Sequence, residues 1–164
     1  MLRVHLGVEP SNGKTLIAVL VCSLDDVSAA FEDVRPGFGL LLACDATSMS
    51  VEEVSAVAST ALRRGVACVC AWGPDCERVH DIIDEEYVGT GGAICECELL
   101  TSWHAAESLD HALWYFIDVA MSTHGQATDW LAVSVGNLEW FERLRRRMAD
   151  VPQLRADVLG TERS

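Results

Sequence analysis

Cys76 and His104 are the side chains whose types and placement point first to chemistry. Cys76 follows Gly73-Pro74-Asp75 at a predicted helix start, where unpaired backbone N–H groups and the positive end of the helix dipole stabilise a thiolate. His104 ends the run Thr101-Ser102-Trp103-His104, which leaves another predicted strand. A thiolate that attacks and an imidazole that shuttles the proton, oriented by an acid such as Asp75 or Asp45, are the minimum for covalent catalysis. A structural assignment accounts for the same residues: Asp75 caps the helix, Cys76 fills a small gap and His104 hydrogen-bonds a loop carbonyl. Around them, Trp72, Gly73, Thr101 and Trp103 make a recognition surface, because tryptophan supplies large contact area with a polar handle. Their alternative role is to plug the top of the sheet.

The elements that must position these residues follow from hydrophobic period. Apolar runs of strand length alternate with segments of helical period, which is the pattern of βαβ units. The fold class expected is α/β: a single three-layer doubly wound domain with a mainly parallel sheet of about five strands. Strands are predicted over 16–22, 38–44, 66–71, about 93–100 and 130–135, with Asp45, Trp72, Thr101 and their neighbours at strand exits, where ligands bind in such sheets. Leu2, Val4, Leu6 and Val8 alternate ahead of a turn at 11–14, so an antiparallel N-terminal edge strand is added.

Helix starts are legible as well. Ser23 with Asp25 and Asp26 opens a helix burying Val27, Ala30, Phe31 and Val34, and Ser50 with Glu53 is a capping box. A third helix from Gly73-Pro74-Asp75 buries Val79, Ile82, Ile83 and Tyr87. Gly89 to Gly92 then reads as a turn. A fourth helix, capped near Ser108, buries Leu109, Ala112, Leu113, Phe116, Ile117 and Ala120, and a fifth spans 138–148. Trp114 and Tyr115 fall off the fourth helix's apolar stripe, so they form either an exposed patch for a partner or second copy, or a surface covered by another segment. Residues 1–150 are expected to form one α/β domain and 151–164 a C-terminal tail.

The stretches Ala71-Trp72-Gly73-x-Asp75-Cys76 and Thr101-x-Trp103-His104, followed by Glu107, Leu109 and an aromatic helix through Trp114 and Phe116, resemble an uncharacterised family of small bacterial α/β proteins. The likeness covers the second half of the chain. It implies no activity, but it groups Trp72, Asp75, Cys76, Trp103 and His104 as one shared feature and leaves Asp45 outside it.

Charge and cysteine content exclude other classes. With 12 Lys and Arg against 25 Asp and Glu in 164 residues, the chain carries a formal charge of -13, which would repel nucleic acid phosphates. No apolar run reaches the ~18 residues of a membrane span. Seven cysteines, an odd number lying largely in apolar strand-like runs, argue against a disulfide framework and for a cytoplasmic protein. Cys68-x-Cys70 and Cys95-x-Cys97 each turn both thiols to one strand face, where they serve as small apolar side chains, and neither a metal nor a cofactor is expected. The leading expectation is an acidic protein-binding or accessory factor, of an immunity or defence type, engaging a protein partner or a second copy. Its rivals are a small Cys–His hydrolase or transferase using Cys76 and His104, and a small-molecule sensor using the same pocket.

Overall fold

The computed structural model describes residues 1–90, 99–120 and 129–161. Six strands form one sheet: β1 (Leu2–Val8), β2 (Thr15–Val21), β3 (Gly39–Ala43), β4 (Cys68–Trp72), β5 (Leu100–Trp103) and β6 (Asp129–Val135), in the order β1-β2-β6-β3-β4-β5. β1 pairs antiparallel with β2, as the alternation at the N-terminus predicts, and every other pairing is parallel. The sheet therefore has the expected α/β character, with the added edge strand.

Helices cover both faces. A 3₁₀ segment (Asp25–Phe31), α1 (Val51–Arg63) and α2 (Cys76–Gly89) bury Phe31, Val54, Val57, Val79 and Ile83 against one face. α3 (Leu109–Trp114), continued by a π turn (Tyr115–Val119), joins α4 (Leu138–Met148) and α5 (Val151–Thr161) to bury Leu113, Phe116, Phe141 and Leu154 against the other. The strands read as continuous apolar runs because burial on both faces removes any need for alternation, and all seven residues of β6 are buried. Gly39 lies under the Trp130 ring, where a Cβ would stand 2.5 Å from a ring carbon.

Local signals account for the helix starts. Ser50 and Glu53 form the predicted capping box, and the Ser108 side chain accepts from the His111 N–H at 3.2 Å. The segment after β2 differs: it is 3₁₀, and Asp26 accepts from the Ser23 N–H and hydroxyl at 3.1 and 3.0 Å, so the cap expected from Ser23 runs in reverse. Of the segment expected as a tail, residues 151–161 form α5, whose Val151, Leu154 and Val158 are buried. Arg155 ties that helix down by ion pairs to Asp118 at 2.6 Å and Glu9 at 3.0 Å.

The predicted fourth strand, expected to end at residue 100, corresponds in the described residues to β5, which runs from Leu100 through Trp103. Gly91 and Gly92 of the predicted turn, with Cys95 and Cys97, lie outside the described residues. Among the described residues, no helix is long and apolar enough to cross a membrane.

Candidate functional site

The loop after β4 is built around two residues with positive φ, Gly73 at 118° and Asp75 at 62°. A side chain at Gly73 would collide with the Cys44 carbonyl, whose oxygen lies 2.2 Å from where its Cβ would be. That close approach joins the loops leaving β3 and β4: Cys44 N–H donates to the Trp72 carbonyl at 3.1 Å and Ala46 N–H to the Pro74 carbonyl at 3.0 Å. Arg78 completes the join. Its guanidinium donates to Asp75 at 2.6 Å, to the Met49 carbonyl at 3.0 Å and to the Ala46 carbonyl. Asp75 occupies the N-cap position of α2 but makes no side-chain capping bond, contrary to expectation, because Arg78 claims its carboxylate and its left-handed backbone is unlike the extended cap at Ser50.

Cys76 opens α2 as predicted, yet its thiol is fully buried in the core on the α1–α2 face. Burial pushes the Cys76 thiol up, against the main-chain N–H groups near it, His104's among them. The His104 imidazole turns to the other face of the sheet. There its Nε2 lies 3.2 Å from the Ser102 hydroxyl, which also bonds the Cys70 thiol, and its ring stands 4.8 Å from that of Tyr115. Nδ1 is buried without a hydrogen-bond partner, and the nearest carboxylate, Glu107, is 3.8 Å away. Cys76 therefore faces the His104 main chain, while Cys70 faces its ring.

Pleating divides the remaining candidates. Thr101 and Trp103 project toward α2: the Thr101 hydroxyl donates to Asp84 at 2.8 Å and lies 3.2 Å from His80 Nε2, and the Trp103 ring stands 4.5 Å from that of His80. Ser102 projects the opposite way, toward Cys70. Trp72 lies on that second face, half-buried, donating its indole N–H to the Glu107 carbonyl at 2.9 Å and meeting Trp140 edge-on at 5.1 Å. Trp114 and Tyr115 are half-buried against the same core, so α3 presents no fully exposed aromatic patch. Asp45 is exposed and accepts from the Thr47 hydroxyl at 2.6 Å and its N–H at 3.1 Å, which holds its carboxyl below the usual range and makes it a turn former. The single pocket expected at the strand exits is thus two surfaces, one on each side of the sheet.

Sequence reasoning missed Arg78, Ser102, Cys70 and His80 as members of these surfaces. The signal available for Cys70 and Ser102 was parity: within β4 and β5, residues two apart share a face, and the register places Cys70 beside Ser102. Among the described residues, no group of three or more His, Cys, Asp or Glu side chains is arranged to hold a metal ion.

The chain is similar to a solved structure of a murein peptide ligase, Mpl, from Psychrobacter arcticus 273-4, at 14% identity and a TM-score of 0.47 over 85% of this chain. It spans 28% of that ligase's length. No curated protein matches it. A family described as a domain of unknown function, DUF7684, matches residues 17–151, a wider stretch than the half of the chain that carried the resemblance to an uncharacterised family. The chain belongs to that family.

Proposed function

We propose that this is a protein-binding domain that uses an acid-rimmed aromatic surface on β5 and α2 to engage a partner with a basic face. The observation that carries the reading is Trp103. It is 45% exposed on the last strand of the sheet order, backed by His80 and bordered by the exposed carboxylates of Asp81 and Asp84. An indole face beside carboxylates suits an Arg or Lys side chain, which gains both cation–π and ionic contact. The charge of -13 favours encounter with such a partner. Nucleophilic catalysis at Cys76 has less support, since its thiol is buried and turned away from the imidazole. The five described cysteines are all unpaired, which fits work in a reducing compartment such as the cytoplasm.

The test compares complexes captured from native lysate by the wild-type protein, by Trp103→Ala and by Asp81→Asn/Asp84→Asn. Trp103→Ala should weaken the specific complex roughly thirtyfold, as loss of an aromatic anchor does. The carboxylate variant should flatten its salt dependence, because exposed charges are screened within about 3 Å at 1 M salt. A complex indifferent to all three changes, or a homodimer formed through this surface, would overturn the reading.

A further inference from the structure

On the opposite face from Trp103, β4 and β5 assemble a thiol, a hydroxyl, an imidazole and a carboxylate in sequence. Register sets Cys70 beside Ser102, whose hydroxyl donates to the thiol at 3.2 Å. The same hydroxyl lies 3.2 Å from His104 Nε2, so Ser102 bridges the thiol and the imidazole. His104 is nine-tenths buried, and its other nitrogen, without a hydrogen-bond partner, has Glu107 Oε1 at 3.8 Å. The other groups with titratable or charged character near the thiol are Cys68, 4.0 Å away on the same strand, Tyr115 from the π turn, and Lys14, whose ammonium is buried nearby. Nothing in the binding surface requires this cluster.

We propose that Cys70 is a nucleophilic centre for small hydroperoxides, with His104 as its proton partner and Glu107 as the residue that positions the imidazolium. Burial selects the reagent class. Cys70 is fully buried on the face where Trp72 and Tyr115 pack, so its reagent must be neutral and as small as hydrogen peroxide, and bulky alkylating reagents are shut out. The Cys68 thiol, and the His104 imidazole and Ser102 hydroxyl acting against the cost of burial, pull the Cys70 thiol below the ordinary thiol range, which favours the attacking thiolate.

In the reaction, the Cys70 sulfur attacks one peroxide oxygen, an S–O bond forms and the O–O bond breaks. The His104 imidazolium gives its proton to the departing hydroxide, which leaves as water. Sulfur is oxidised by two electrons, the peroxide is reduced by two, and Cys70 becomes a sulfenic acid. Cys68 is an unfavourable disulfide partner for that acid, because residues two apart on a strand sit about 6.6 Å apart at Cα, near the outer limit for a disulfide.

Two measurements on the folded wild-type protein decide the matter. The ultraviolet absorbance of thiolate, followed against pH, should show a step with its midpoint below the ordinary thiol range, lost in Cys70→Ser and displaced toward that range in His104→Gln. Glu107→Gln should move that midpoint upward without abolishing the step. Peptide-resolved mass spectrometry after brief exposure to hydrogen peroxide should show Cys70 oxidised at least tenfold faster than Cys44 and Cys76, the buried thiols on the opposite face, with Cys76→Ser leaving its rate unchanged. If the wild-type protein shows no such step, or if Cys70 oxidises no faster than Cys44, the proposal fails even if every variant misfolds. Either outcome leaves the Trp103 reading to its own test, because these readouts involve no partner.

Discussion

A Cβ at Gly73 would stand 2.2 Å from the Cys44 carbonyl oxygen, and the backbone there holds φ at 118°, where side chains other than hydrogen are strained. Gly73→Ala should therefore lower stability by about 3 kcal/mol or more, measured by urea unfolding. Gly89, at the end of α2 with nothing within 4 Å of its added Cβ, should tolerate alanine with no loss. The sequence made Gly73, Cys76 and His104 visible as strand-exit residues, but it could not show which way each points. Expecting the fourth strand to end at residue 100 placed Thr101 to His104 together in a loop. In fact β5 runs through Trp103, and its pleat sends Thr101 and Trp103 toward α2 and Ser102 toward the other helices. Since side chains alternate with period two, a boundary misplaced by three residues converts one cluster into two surfaces.

At the scale of elements, capping chemistry was readable wherever a short polar side chain had no stronger partner, as at Ser50 and Ser108. Asp75 lost its cap because Arg78 lies one turn ahead to claim it. α5 was missed although Val151, Leu154 and Val158 have helical spacing, because Pro152 reads as a breaker; it falls in the first turn, where no N–H partner is lost. If α5 is integral, Leu154→Ala should cost about 2–4 kcal/mol in a denaturant melt, whereas a frayed tail would leave the midpoint unmoved.

The C-terminal end of the π turn depends on Lys14, whose ammonium donates to the carbonyls of Ile117 at 2.6 Å and Ala120 at 2.8 Å and sits 3.5 Å over the Trp130 ring. Burial lowers its pKa from 10.5 to about 8. The unfolded chain thus holds this proton more tightly, so stability contributed by Lys14 rises with pH between about 8 and 10.5 and is lowest below that window. The destabilisation caused by Lys14→Met should accordingly grow across those pH values, by on the order of 2–3 kcal/mol. A pH-independent difference in thermal unfolding would contradict this.

For the whole molecule, alternating periods gave the fold class, because they are summed over many residues. Strand order is a different kind of information. β6 sits between β2 and β3 although more than eighty residues separate it from β3 in the chain, and no local pattern encodes that insertion. It has a consequence for synthesis. Until residues 129–135 leave the ribosome, a nascent chain holds a β1–β2 pair and a β3–β4–β5 group with no strand to join them, and the apolar surface that β6, α4 and α5 bury stays uncovered. Folding must then wait until β6 has emerged and close its longest loop in one late step, which makes the bare nascent chain a natural client for a ribosome-associated chaperone.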